Sequence, residues 1–133
     1  MNETRFRNYL RKKFENDFIV MQIESGSTCP GIPDTFILQK ETNRCAWIEL
    51  KYSEKEKQNK IDLRKEQVVW HRNYSRLGGI SFIMLRTSEC IHTWDGEDAR
   101  ELKNGIDIFS IPHHSIKCNG SISFLIEYIK NSL

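Results

Sequence analysis

Cysteine and proline are scarce in this chain of 133 residues, and apolar residues never accumulate into a long run. The cysteines, at positions 29, 45, 90 and 118, form no Cys-x-x-Cys pair, which argues against a zinc-binding or disulfide framework. No stretch approaches the ~20 apolar residues that span a bilayer, and the N-terminus lacks the apolar segment of a signal peptide. These absences predict a cytoplasmic protein with no membrane association.

Cysteines in apolar runs and a pair of adjacent histidines do not indicate a metal site either. Cys45 and Cys90 lie within apolar runs and are interpreted as small buried residues. His113 and His114 are adjacent in a segment that follows a proline, and neighbours on an extended chain point to opposite sides. Joint metal binding by this histidine pair is therefore not expected.

The net charge of +2 is too small to indicate a nucleic-acid-binding protein by itself. The distribution of charge is more informative, because cations are concentrated at residues 5–13 and again at residues 51–65, where acidic side chains alternate with them. Mixed runs of this kind usually form a solvated face. Beside a phosphodiesterase site, the same cations would be suitable phosphate contacts.

The length and the order of apolar patterns predict one domain, residues 1–133, of the α/β class with a mixed central β-sheet flanked by helices. The second predicted helix begins at Asp62 as its N-cap and buries Leu63, Trp70, Tyr74 and Leu77, and the last buries Phe124, Leu125, Tyr128 and Ile129. Residues 52–61 are almost wholly polar and predict a mobile connection. The predicted elements are helices at 3–15, 62–77, 97–103 and 121–132, and strands at 18–23, 35–38, 45–48, 80–85, 91–94 and 106–111.

The most informative segment is a predicted β-hairpin over residues 33–51. Two short apolar runs flank a polar turn, with Pro33-Asp34 before the first run and Glu49-Leu50-Lys51 after the second. In an antiparallel pair these two ends lie side by side. Because strand side chains alternate between faces, Glu49 and Lys51 point the same way, and Asp34 lies close to both.

Two carboxylates and an ammonium group at one place suit a particular chemistry. Hard divalent cations such as Mg²⁺ prefer oxygen ligands and often combine one or two carboxylates with phosphate oxygens. A neighbouring lysine can orient a water molecule or stabilise negative charge on a phosphate. The pattern predicts a metal-dependent phosphodiesterase.

These residues resemble the signature of the PD-(D/E)XK nuclease family. The flanking Gly31-Ile32-Pro33 and the downstream Gln67 and Trp70 are similar to its VRR-NUC branch, over roughly residues 3 to 86. The resemblance implies a restriction-endonuclease-like core, a Mg²⁺ or Mn²⁺ cofactor and hydrolysis of DNA phosphodiesters.

The resemblance also implies roles for individual residues. Asp34 and Glu49 would be metal ligands together with the Leu50 carbonyl. Lys51 would position the attacking water or stabilise the phosphate, and Gln67 would steer Lys51 or the water. A glutamate of the first helix usually completes the site; Glu3 is favoured here, and Glu24 is the competing choice. Ser27 and Thr28 are further possible phosphate contacts.

With no separate sequence-reading module, specificity for DNA shape is expected. Single-domain members of the family are similar to Holliday-junction resolvases, so the prediction is a homodimeric endonuclease for branched DNA, of a size that phage-encoded members share. Two alternatives stay open at this point. One is a DNA-binding protein that kept the fold without the chemistry, and the other is a flap, nicking or RNA-cutting nuclease of the same fold.

Overall fold

The computed structural model describes residues 1–23, 29–105 and 107–133. Helices and strands alternate along the chain, with short 3₁₀ turns at Gly96–Asp98 and Ile108–Ser110. None of the helices in the described ranges is both long and apolar enough to cross a membrane. The elements are α1 (Glu3–Phe14), β1 (Phe18–Gln22), β2 (Thr35–Gln39), β3 (Cys45–Tyr52), α2 (Lys65–Arg76), β4 (Ser81–Arg86), β5 (Cys90–Asp95), α3 (Ala99–Asn104), β6 (His114–Lys117) and α4 (Ile122–Ser132).

The six strands form one mixed sheet in chain order. Only β3 and β4 pair in parallel, and helix α2 makes the crossover between them that a parallel pair requires. The predicted hairpin is confirmed, because β2 and β3 pair antiparallel with Thr35 opposite Ile48. The predicted fold class, a mixed sheet flanked by helices, is therefore correct.

Helices cover both faces of the sheet and create two apolar clusters. On one face α1 and α4 bury Phe6, Leu10 and Leu125 against strand residues such as Leu50. On the other face α2 and α3 pack with Ile61 and Leu63 against the strand residues Ile83, Leu85 and Trp94. Since β4 is covered on both sides, its residues read as a continuous apolar run.

Helix α2 begins later than predicted. Asp62 is exposed, and Arg64 is the N-cap of a helix that starts at Lys65. The reason is that Ile61 and Leu63, two residues apart, are both buried, which requires an extended chain before the helix. The connection is therefore held to the body of the protein, and the Ile61 N–H donates a 2.9 Å hydrogen bond to the Leu102 carbonyl.

Other predictions of burial and edge structure were wrong. Leu77, beyond the end of α2, is 87% exposed, and Phe124 on α4 is 67% exposed because Ile126 faces the core instead. The predicted edge strand at 106–111 is a 3₁₀ turn over its described residues, since Asp107 has a φ of 58°, which interrupts an extended chain. The strand at this edge of the sheet is β6, and β1 lies at the other edge. Cys45 and Cys90 are only partly buried.

Candidate active site

Asp34 is fixed at the point where β2 begins. Its backbone carbonyl accepts a 2.8 Å hydrogen bond from the Ile23 N–H, which extends the pairing of β1 with β2. The Thr35 hydroxyl donates a 2.9 Å hydrogen bond to Asp34 Oδ1, and the Leu50 N–H lies 3.4 Å from both carboxylate oxygens. The Asp34 side chain is thus held across the hairpin, against β3.

Glu49 and Lys51 lie on the same side of β3, as alternation predicts. The Lys51 Nζ is 3.9 Å from Glu49 Oε2. The Glu49 side chain belongs to a residue only 4% exposed, and its Oε1 has no hydrogen-bond partner. A buried carboxylate with one unsatisfied oxygen is costly unless a cation or a proton accompanies it.

Glu3 joins these residues from the first turn of α1. One carboxylate oxygen from each of Glu3, Asp34 and Glu49 lies within 4.8 Å of the others. The helix does not fray before this point, because Asn2 Oδ1 accepts a 2.9 Å hydrogen bond from the Arg5 N–H and caps the first turn. The competing Glu24, with Ser27 and Thr28, lies outside the described residues.

Burial, together with the charge of neighbouring carboxylates, raises the pKa of both central carboxyl groups. Burial raises the pKa of Asp34 to about 6, against opposing hydrogen bonds from Thr35 and Leu50 and the charge of Arg7. Burial first, and then the neighbouring Asp34 charge, raise the pKa of Glu49 to about 8, although the Lys51 charge opposes this. Carboxyl groups that resist ionisation are typical of a site prepared for a cation.

The residues present fit the expected Mg²⁺ or Mn²⁺. The donors are carboxylate oxygens, which hard divalent cations prefer, and the unpartnered Glu49 Oε1 lies among them. A cation placed among these oxygens would satisfy the orphaned atom and offset the repulsion between Asp34 and Glu49.

The carboxylates line a cleft of about 460 Å³ that also contains cations. Arg7 and Arg64 were not predicted as site residues, although Arg7 follows Glu3 by one helical turn and so shares its face. The Arg7 Nε is buried without a hydrogen-bond partner. The lining residues are Glu3, Thr4, Arg7, Ile23, Cys29, Gly31, Ile32, Pro33, Asp34, Glu49, Lys51, Arg64 and Gln67.

Gln67 lies in this cleft, in the first turn of α2. Its Oε1 accepts a 2.8 Å hydrogen bond from the Arg64 N–H and so caps the helix. The amide oxygen therefore has a structural partner, while the amide nitrogen has no such bond to the described residues. The N-termini of α1 and α2 both open onto the cleft, and their dipoles favour negative charge there.

The raised pKa values predict how the stability of the metal-free protein depends on pH. Glu49 and Asp34 keep their protons in the folded state to higher pH than in the unfolded chain, where their pKa values are ordinary. The folded state then binds more protons at these two groups, so their contribution to stability is greatest below about pH 4 and is lost as the pH rises through about 8, by on the order of a few kcal/mol.

Thermal melting in excess chelator should show this decline between about pH 5 and about pH 8. Glu49→Gln should remove most of it, because glutamine does not titrate. Glu54→Gln, at an exposed position, is the matched control and should leave the profile unchanged. The same pH dependence in the wild type and in Glu49→Gln would contradict the raised pKa of Glu49.

Comparison with known proteins finds similarity among solved structures. No family model matches the chain, and no curated protein matches it, so the expected place in the VRR-NUC branch stays a prediction. Among solved structures the chain is similar to Hjc, a Holliday junction resolvase from the archaeal hyperthermophile Archaeoglobus fulgidus. The TM-score is 0.54 and the identity 16%, over 71% of this chain and 77% of that one. The chain therefore shares the fold of this resolvase.

Proposed function

We propose that the protein is a metal-dependent endonuclease that cuts branched DNA, with the four-way junction as its substrate. The observation that carries this proposal is the convergence of Glu3, Asp34 and Glu49 within 4.8 Å in a cleft, with the Lys51 ammonium beside them. The similarity in fold to a Holliday junction resolvase supports the substrate.

Asp34, Glu49 and Glu3 would hold Mg²⁺ or Mn²⁺, with the Leu50 carbonyl as a further ligand. The Leu50 N–H faces Asp34, and the N–H and C=O of a strand residue face the same neighbour, so the carbonyl lies toward the cluster as well. A bound ion of this kind neutralises charge on a phosphate and lowers the pKa of a water molecule.

The remaining residues of the cleft would act on the DNA. Arg7, with its unpartnered Nε, and Arg64 are placed to bind phosphate oxygens. The Lys51 ammonium, with three donors, would orient the attacking water or stabilise the charge that develops on the phosphate. The Gln67 amide nitrogen would donate a hydrogen bond to the water that Lys51 orients or to the phosphate, while the Gln67 amide oxygen caps α2.

We infer that the active form is a homodimer, because paired cuts in a junction require two sites. The sheet edge offers one surface for such contact: strand β1 is an edge strand, and Ile19 and Met21 on it are exposed. Since the substrate is DNA, we place the activity in the cytoplasm.

Cleavage of end-labelled DNA in Mg²⁺ tests the proposed function. We expect paired, symmetrical cuts in a four-way junction, weak cutting of linear duplex, and loss of all cutting in Asp34→Ala and in chelator. The matched control is Glu41→Ala, which removes an exposed carboxylate from the turn of the hairpin, at the opposite end from Asp34, and should retain activity.

The other outcomes favour different functions. Cutting of flaps or nicked duplexes in preference to junctions would assign a different nuclease specificity to the same site. Tight junction binding with no cleavage in either Mg²⁺ or Mn²⁺ would support a DNA-binding protein without catalysis. Equal cutting by wild type and Asp34→Ala would reject the proposed site.

A further inference from the structure

A second group of potential metal ligands lies on the sheet face that carries Lys51. One ligand atom from each of Glu56, Cys90 and His92 lies within 4.8 Å of the others. Lys51 on β3 lies opposite Leu85 on β4, and Leu85 lies opposite His92 on β5. The His92 side chain therefore points to the same face of the sheet as the Lys51 side chain, two strands away. We propose that Glu56, Cys90 and His92 form a binding site for Zn²⁺ or a similar divalent metal ion. This site is separate from the acidic cluster of Glu3, Asp34 and Glu49.

His92 gives the strongest indication of a metal-binding site. The residue is only 8% exposed, and neither Nδ1 nor Nε2 of its ring has a hydrogen-bond partner among the described residues. Its surroundings are aromatic, with ring centroids of Phe109 at 4.9 Å and Trp94 at 5.8 Å. A buried imidazole that satisfies neither nitrogen is costly, and coordination of a metal would satisfy one of them.

Glu56 is oriented toward this site by the turn between β4 and β5. Its Oε2 accepts a 2.9 Å hydrogen bond from the Thr87 hydroxyl, and its Oε1 accepts from the Ser88 hydroxyl at 2.9 Å and from the Glu89 N–H. Each carboxylate oxygen has two lone pairs, so Oε2 retains one for a metal. Hydrogen-bonded carboxylates of this kind are typical of metal sites, where outer groups fix the ligand.

The donor set selects the class of metal. A thiolate and an imidazole are unsuited to Mg²⁺ or Ca²⁺, whereas zinc binds sulfur, nitrogen and carboxylate oxygen together. The Cys90 thiolate and the Glu56 carboxylate would neutralise a dication. Three protein ligands leave the fourth tetrahedral position for water on the partly exposed side of Glu56 and Cys90.

The ion would fasten the connection between β3 and α2 to the β4–β5 turn. That connection supplies Gln58, Lys60 and Asp62 to a second cleft of about 380 Å³, which Lys51 and Glu3 also line. Zinc binding would thus order a wall of the cleft beside the proposed nuclease site without contributing to its chemistry.

A zinc titration of the untagged, full-length protein tests the proposal without any cleavage assay. In competition with a chromophoric chelator, we expect one tight equivalent of Zn²⁺ in an Asp34→Asn background, which disables the acidic cluster. Cys90→Ser and His92→Gln should each weaken binding about tenfold or more. Cobalt substitution should give a thiolate-to-metal absorption band that Cys90→Ser abolishes.

Matched substitutions make the result specific. Cys45→Ser and His114→Gln alter residues outside the ligand group and should leave zinc affinity unchanged. Should Cys90→Ser fail to fold, Glu56→Gln keeps an oxygen toward Thr87 while it removes the charge, and it should still weaken binding about tenfold. Absence of a zinc equivalent in the wild type, no thiolate band with cobalt, or unchanged affinity in Glu56→Gln would overturn the proposal.

Discussion

Lys51→Met is expected to reduce single-turnover cleavage of a four-way junction by roughly 100- to 1000-fold, the loss typical of a group that stabilises transition-state charge. Methionine keeps the length of the aliphatic stem, so packing in the cleft changes little while the ammonium disappears. Junction binding should weaken far less, because the proposed phosphate contacts of Arg7 and Arg64 remain. Single-turnover rates at saturating enzyme separate the chemical step from binding.

The pH dependence of the cleavage rate distinguishes a catalytic role of Lys51 from a purely structural ion pair between Lys51 and Glu49. The Lys51 charge lowers the pKa of Glu49, so its removal should move the rising limb of the pH–rate profile to higher pH. Lys55→Met, which alters an exposed lysine of the connection, is the control and should leave rate and profile nearly unchanged. A cleavage rate in Lys51→Met equal to that of the wild type would show that Lys51 takes no part in the reaction.

Gly31→Ala is expected to cause the largest loss of stability among small substitutions near the site. Gly31 has a φ of 88°, in the left-handed region, and an added Cβ would lie 2.2 Å from the Glu66 carbonyl oxygen. The backbone term costs roughly 1–2 kcal/mol, and overpacking against helix backbone costs roughly 1–3 kcal/mol more. Urea denaturation should therefore show a loss of about 2–5 kcal/mol in the free energy of unfolding.

Gly78→Ala separates these two contributions. Gly78 has a φ of 86°, nearly the same backbone conformation, but nothing lies within 4 Å of the position its Cβ would take. This variant should lose only the backbone term, roughly 1–2 kcal/mol. Equal losses in both variants would show that contact with the start of α2 does not matter at Gly31.

The same close approach predicts an effect on function. Gly31 lies between the segment that carries Asp34 and the helical turn that carries Gln67, so an added methyl group would push these two sides of the cleft apart. We expect cleavage by folded Gly31→Ala to fall while Gly78→Ala remains near wild type. The contact fixes the width of the cleft, which no local sequence pattern reveals.

The convergence of Asp34, Glu49 and Lys51 was predictable, because it depends on residues that are close together in the chain. Alternation along one strand places Glu49 and Lys51 on one side, and a short hairpin brings the start of its first strand beside them. The same reasoning failed for Arg7, since its basic neighbours suggested a solvated helix face. Only the packing of α1 against the sheet turns Arg7, with Glu3, toward the cleft.

The helix boundaries show the same limit. Asp62 has the chemistry of an N-cap, but burial of Ile61 and Leu63 keeps the chain extended until Arg64. Leu77 and Phe124 fit apolar stripes, and both are exposed because a stripe does not specify where its helix ends or which partner it meets. Tertiary packing overrode local propensity in each case.

Local sequence patterns were sufficient to predict the mixed α/β sheet, the hairpin and the convergence of Asp34, Glu49 and Lys51, because periodicity and short-range pairing are properties of neighbouring residues. The packing of distant segments was needed to bring Glu3, Arg7 and Arg64 to these residues, and Glu56 to Cys90 and His92. These contacts join segments far apart in the chain, and their positions depend on how helices and connections pack on the sheet.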